Sequence, residues 1–588
     1  MSFLSTLIPK QKNVSLSSFH VKIDGQALKD TYAVSAVMVT KCVNKIPFAQ
    51  LVLLDGNVAK QDYPASSADT FIPGAKVDIL MGHGGENEKK VFSGIIVKHS
   101  IQLLEGRPML LTVELRDEAV KLTVGRKNKF FEEKTDSDII GEVLAGFKGK
   151  VEATTVSHEE MVQYFCTDWD FVLSRADVNG QLVFVEDGKV NVNKPDLTKT
   201  PGISVVFGAN VYEFEAEMDA RDEYKSVEAS SWDDATRAMI KKKGKKPVLG
   251  KEEGNPTGDK LSDVIGLADF ALQHSGQVKD VELEAWASAK LLRSRMAKIK
   301  GRAKIDGYND IKPGDMIGID QFSKRFNGVA FVSSVMHSLS ADSAYYTDIQ
   351  FGYSQEWFSR KFNDITEQPA SGLLPSVSGL QVGIVKKITE DPQNDYRVFV
   401  NLPVVKEGSE GVWARMATMD AGKKRGSFFY PEIGDEVILG FMNDDPREPV
   451  ILGMLYSKND DGKPPIEPTE DNYIKGIYTK TEMKLVFDDE KQTVTIETPG
   501  GNKVFIADKD DAVITLTDSN DNKIEMTKDG IAITSGKDLK IKATGDITIE
   551  GVNITASADA QFKAEGSSGI EVSSSANAVL KGAVVQIN

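Results

Sequence analysis

Cysteine is almost absent from this chain. Cys42 and Cys166 are the only two in 588 residues, too few to staple a secreted scaffold, and they fit a reducing compartment. Histidine is scarce as well. His20, His83, His99, His158, His274 and His337 are scattered, and no two stand four apart as a zinc-protease helix requires. No apolar run reaches the ~18 residues that a membrane-crossing helix needs. Basic charge is in deficit: 71 Lys and Arg face 87 Asp and Glu, a net charge of -16. That balance argues against a nucleic-acid surface. Met1-Ser2-Phe3-Leu4-Ser5 has no basic start and Pro9-Lys10 breaks the apolar beginning, so no signal peptide is expected. Toward the C-terminus no proline follows Pro499, no arginine follows Arg447, and Phe562 is the only aromatic after Phe505.

What fills that last stretch is a short strand repeated every seven or eight residues. Branched apolar or aromatic anchors recur at Ile524, Ile531, Leu539, Ile547, Ile554, Phe562 and Ile570. Around them the pattern alternates, as in Leu539-Lys540-Ile541-Lys542 and Ile547-Thr548-Ile549-Glu550, the mark of a strand with one face in and one out. Gly530, Gly536, Gly545, Gly551, Gly566, Gly569 and Gly582 supply turns. Each strand buries only two or three modest side chains, too few to offset its own ordering entropy. The segment must stack on neighbours and on other chains, as a shaft does. Ile531, Leu539, Ile541, Ile547, Ile549, Ile554, Phe562 and Ile570 are its expected core.

Upstream, residues 1 to about 120 read as strands. Helices are expected over Asp136–Phe147, with Asp136 as the cap, over Asp168–Asn179 and over Trp286–Met296. Ala303 to Phe351 is again β-rich. Pro369, Ser371-Gly372, Pro375 and Ser378-Gly379 mark a linker. Gln381 to Tyr456 is a compact all-β unit suited to a small closed barrel such as an OB-fold, with Ser427–Tyr430 among its strands. Pro464, Pro465 and Pro468 mark a neck.

No catalytic constellation emerges. Gly244 to Lys251 resembles a phosphate loop only loosely, with Glu252 where Ser or Thr should hold magnesium. Lys241-Lys242-Lys243 with Lys245-Lys246 reads as a flexible surface loop between helices. Asp444-Asp445 and Asp488-Asp489 lie in turn contexts, with no nucleophile beside them. The reading is therefore not an enzyme, with no cofactor and no metal.

Residues 413 to 456 carry a specific resemblance. They read Trp413-Ala414-Arg415-Met416, then Pro431-Glu432-Ile433-Gly434-Asp435-Glu436-Val437, then Asn443-Asp444-Asp445-Pro446, then Pro449-Val450-Ile451-Leu452-Gly453. This resembles the OB-fold signature of VgrG-type spike proteins. Asp168-Trp169-Asp170-Phe171, Pro313-Gly314-Asp315, Val335-Met336-His337 and Thr498-Pro499-Gly500-Gly501-Asn502-Lys503 are similar to further motifs of that family and of phage tail hubs. Gly379 to Gly383 and the stretch Lys581 to Asn588 look closer to spikes of extracellular, antifeeding-prophage-type particles.

The resemblance implies a mainly β, multidomain chain: a tail-hub-like domain over 1–365 with two barrel-like units (about 1–120 and 300–365) and a mixed α/β part between. A linker at 366–380, an OB-fold at 381–456, a neck at 457–480 and an intertwined trimeric β-helix shaft at 481–588 follow. It implies a homotrimeric central spike of a contractile injection machine that perforates an envelope, touching membrane only transiently. The implied partners are a hexameric Hcp-like inner tube, baseplate proteins, and a PAAR-type tip protein on Val579, Leu580, Val584, Val585 and Ile587. The implied route is synthesis in the bacterial cytoplasm and incorporation in a phage-tail-like particle released from the cell. An envelope-degrading hub or a β-shaft adhesin are the alternatives.

Overall fold

A computed structural model describes residues 3–8, 16–56, 60–84, 87–105, 107–251, 254–509 and 512–587. Met1, Ser2, Pro9, Lys10, Glu252 and Asn588, named above, lie outside them. The chain divides into two units: Met1–Gly379 with Phe441–Glu448, and Leu380–Gly440 with Pro449–Asn588.

In the first unit a 13-stranded sheet joins two apolar cores. Ser17–Ile23, Ala33–Cys42, Phe48–Asp55, Lys76–His83, Lys89–Gln102 and Met109–Arg116 alternate buried and exposed side chains, and their inner faces close around Leu51, Phe71, Ile79, Phe92 and Leu111. The second core, with Ile305, Ile317, Val335 and Phe351, is built by Ile299–Asp306, Met316–Asp320, Gly328–Ser340 and Ser343–Phe351. It also recruits Ile203–Val206 and Val211–Met218 from the stretch expected to be mixed α/β.

The two expected units are therefore not separate. Gly328–Ser340 pairs antiparallel with Ala33–Cys42, from Ser334↔Cys42 to Ser340↔Ala36. At 13 residues it is long enough to give Val332 and Val335 to one core and Leu339 to the other.

The helices form where amphipathic spacing meets a cap. Asp168–Val178 buries Trp169, Val172, Leu173 and Ala176 on one face, and the Thr167 side chain accepts the Asp170 amide. Asp136–Val143 starts from a reciprocal capping box between Thr135 and Asp138. The expected cap, Asp136, is instead buried. The Arg175 guanidinium donates to it at 2.7 Å and Asn179 at 2.8 Å, while His158 Nε2 stands 3.2 Å away. Burial pushes the Asp136 carboxyl up, but the hydrogen bonds from His158 and Arg175 outweigh it and hold the group well below the usual carboxylate range. A helix over Gly258–Ile265 was not anticipated, and the third expected helix is longer, Asp280–Ala297.

The lysine run is not a loose loop. Lys241, Lys242 and Lys243 lie on strand Ala238–Lys243, paired with Val227–Asp233. Each lysine meets an acid: Lys241 with Glu228 at 3.4 Å, and Lys242 with Asp280, Lys243 with Asp269 and Lys246 with Asp259, all at 2.8 Å; Lys245 pairs with Glu284. In so acidic a chain, a basic strand finds carboxylates on every neighbouring element.

In the second unit Gln381–Lys387, Val398–Asn401, Val412–Met416, Pro449–Met454 and Glu436–Phe441 close a five-stranded barrel. Val385, Val398, Val400, Ala414, Val437, Leu439 and Ile451 are fully buried inside it. Ser427–Tyr430 is not a strand; a two-residue-per-side hairpin, Ala421–Gly422 with Arg425–Gly426, precedes it. Asn443 and Asp444 adopt positive φ in the turn, and Asp445 takes the Arg447 side chain at 2.7 Å. Strand Ile474–Tyr478 begins inside the expected neck and opens a seven-stranded antiparallel meander that runs to Gly530–Thr534.

Candidate functional site: the apolar face of the C-terminal sheet

Strand register decides which side chains of the meander share a face, because residues paired directly across strands project to the same side. One row reads Ile477, Leu485, Ile496, Val504, Leu516, Ile524, Ile533 across seven strands. Two residues along each strand, and so on the same face, a second row reads Phe487, Val494, Ile506, Ile514, Met526, Ile531. Its first strand contributes Lys475 instead.

The opposite face is different. Its middle row is Gly476, Val486, Thr495, Phe505, Thr515, Glu525 and Ala532. Its flank carries Lys484, Glu497, Lys503, Thr517 and Lys523, with Lys484 and Glu497 ion-paired at 3.5 Å. The Lys503 ammonium lies over the Phe505 ring, 4.9 Å from its centroid.

A sheet with one aliphatic face and one mixed face that holds all the ion pairs normally covers the aliphatic one. Here none of the 13 aliphatic or aromatic side chains of the two rows is buried, and Leu516, in the middle, keeps 42% of its surface exposed. So large a continuous apolar patch marks an interaction surface. The chemistry it supports is association through apolar burial.

Of the residues expected in the shaft core, Ile531 ends the second row. Leu539, Ile541, Ile547, Ile549, Ile554, Phe562 and Ile570 follow the meander, where no further strand pairing is formed among the described residues. These eight are 54–73% exposed in the single chain. Val579, Leu580, Val584, Val585 and Ile587 are likewise exposed. Reading from the sequence missed the larger part of the face, Ile477 to Met526. The signal was there: Leu485-Val486-Phe487, Val494-Thr495-Ile496 and Ile514-Thr515-Leu516 place apolar residues two apart along their strands. Elsewhere, among the described residues, no three His, Cys, Asp or Glu side chains converge as a metal site.

Comparison with known proteins assigns these parts. Residues 13–341, more than half of the chain, match the family described as Alg8 N-terminal domain. The chain belongs to that family. Residues 381–456 match the type VI secretion system/phage-baseplate injector OB domain, and 493–555, which hold most of the apolar face, match the phage baseplate V C-terminal trimerisation domain. Two relatives are type VI secretion system spike proteins. VgrG1b of Pseudomonas aeruginosa is 33% identical over 91 residues, 14% of this chain and 12% of that protein. VgrG3 of Vibrio cholerae is 46% identical over 44 residues, 8% of this chain and 4% of that protein. This chain thus spans only a small part of the length of the curated relatives it matches. A 43 kDa tail protein of prophage MuSo2 from Shewanella oneidensis aligns with 58% of this chain and 99% of its own, at 13% identity and a TM-score of 0.44. In its OB and trimerisation regions the chain is similar to VgrG spike proteins.

Proposed function

We propose that this VgrG-like protein is the central spike of a contractile injection machine, a homotrimer that perforates a target envelope by mechanical work and not by catalysis. Three copies bury the two apolar rows against one another and turn the ionic face outward. Further along, Leu539, Ile541, Ile547, Ile549, Ile554, Phe562 and Ile570 fill the axis of the same shaft as its strands pair between chains. A closed three-chain prism leaves no lateral sheet edge exposed, which suits passage through lipid. The hub meets a hexameric Hcp-like inner tube and baseplate proteins. A PAAR-type tip protein sits on Val579, Leu580, Val584, Val585 and Ile587 and brings any metal with it. The chain is made in the cytoplasm and leaves the cell within a phage-tail-like particle.

The observation that carries this reading is the uncovered two-row apolar face, most of it within residues that match a trimerisation domain. Light scattering of the purified protein tests it: the expected mass is three times the 64.3 kDa of one chain, and a monomer at micromolar concentration refutes it. A zymogram on cell-wall polymer is expected to show no clearing; a cleared band would move the function to an envelope-degrading hub.

A further inference from the structure

Lys41 is 8% exposed, on strand Ala33–Cys42 of the hub sheet. Buried lysines normally reach a carboxylate or several carbonyls. Glu186 is the nearest acid, at 3.9 Å, beyond hydrogen-bonding range, and the Lys41 amine makes no hydrogen bond among the described residues. Lys41 lines a cavity of about 560 Å³, a size typical of small-ligand sites.

Three more lysines, Lys150, Lys199 and Lys312, line the same cavity. Four carboxylates line it too, so the formal charges cancel, but the hydrogen bonds do not. Glu152 accepts the Lys194 amide at 2.8 Å, Asp196 accepts the Thr198 amide at 3.0 Å, and Asp315 accepts the Lys312 amide at 3.0 Å. Each of those three carboxylates therefore has one oxygen turned to a backbone amide. Glu186 holds Lys312 at 3.3 Å, and the Lys199 and Lys312 charges also act on Asp315; Lys41 alone is buried without a hydrogen-bonded or closely paired carboxylate. Lys199 donates to the Gly314 carbonyl, also at 3.3 Å. Phe184 forms an apolar wall, and a Cβ on Gly314 would stand 2.7 Å from its ring, so glycine at 314 leaves that ring in place.

We propose that this cavity binds a small phosphate ester, with Lys41, Lys150 and Lys199 holding the phosphate and Phe184 against the organic part. The lining contains ammonium point charges and no guanidinium. Lysine ammonium groups act as point charges, and several of them can share the three oxygens of one phosphate. Burial already lowers the Lys41 pKa, with the Glu186 charge opposing it; an anion in the cavity restores the charged amine. This site is independent of the trimer face.

Calorimetric titration of the full-length protein with pyrophosphate at low salt tests the idea, with malonate as the carboxylate control. We expect one saturable pyrophosphate site per chain, at least tenfold tighter than malonate. Lys41→Met should weaken it tenfold or more, and Lys150→Met and Lys199→Met several-fold each. Lys245→Met, outside the cavity, should bind as wild type. No saturable binding overturns the proposal, as does malonate binding equally well or Lys41→Met binding within twofold of wild type. Should Lys41→Met fail to fold, the two exposed lysines decide: unchanged affinity in both Lys150→Met and Lys199→Met refutes the site.

Discussion

Leu516→Asp is the sharpest test of the apolar face. Leu516 is paired across strands with Val504 on one side and Ile524 on the other, with Ile514 two residues along the same strand. Full burial of a leucine is worth about 1.5–3 kcal/mol. The 42% of Leu516 still exposed in one chain therefore represents about 1 kcal/mol gained per chain on assembly. Aspartate forfeits that gain and carries a desolvation penalty that is larger still. A carboxyl forced neutral at pH 7 from an ordinary pKa near 3.9 costs about 4 kcal/mol, and a trimer repeats the cost three times at one level. The combined loss, on the order of 10 kcal/mol or more, exceeds what most single-site changes do to a protein. Thr515→Asp, one residue away, is the control, since it projects to the ionic face. Light scattering across a dilution series, with thermal melting, should show Leu516→Asp dissociated and Thr515→Asp trimeric. The reasoning fails if both variants behave alike, or if Leu516→Asp stays trimeric and melts like wild type.

Three further outcomes are expected. Ile547→Asp, beyond the meander, should also destabilise the trimer, which an unaltered melting curve would contradict. His337 is buried with Tyr345 Oη 2.9 Å from its Nδ1, and burial, then the Lys41 charge, lowers its pKa from 6.5 to about 3. The unfolded chain therefore binds an extra proton between those values, so hub stability should fall as pH drops from 6.5 toward 3, by at most about 1.4 kcal/mol per unit from this group. His337→Gln should flatten that dependence in urea titrations, and an identical slope would show that the ring does not carry it. Arg175→Met strands Asp136 in the hub interior and should cost about 3–5 kcal/mol in the same titrations; a loss under 1 kcal/mol would mean that His158 and Asn179 suffice.

Local chemistry made much of the fold legible and long-range pairing hid the rest. The barrel is readable because its alternating strands are short and its turns carry Asn443, Asp444 and Gly434 at positive φ. Helix Asp168–Val178 is readable because Trp169, Val172, Leu173 and Ala176 repeat at helical spacing. The junction Ser334↔Cys42 spans almost 300 residues of sequence, and no local pattern encodes such a register. Asp136 looks like a cap until Arg175 arrives from another helix. The lysine run looks solvated until its carboxylates arrive from Glu228, Asp259, Asp269, Asp280 and Glu284. Burial of Lys41 has the same origin, since lysine in an alternating strand gives no sign of which face its partners will cover. The apolar rows, by contrast, needed only the period of two carried upstream past Ile524 into the expected neck.

The strand Gly328–Ser340 has a mechanical meaning. It lies in one sheet with both hub cores and supplies side chains to each. A pull that separates the cores along this strand would load its antiparallel ladder to Ala33–Cys42 in shear, many hydrogen bonds at once, and could not unzip it one bond at a time. A deformation of either core must then disturb a strand that the other core shares.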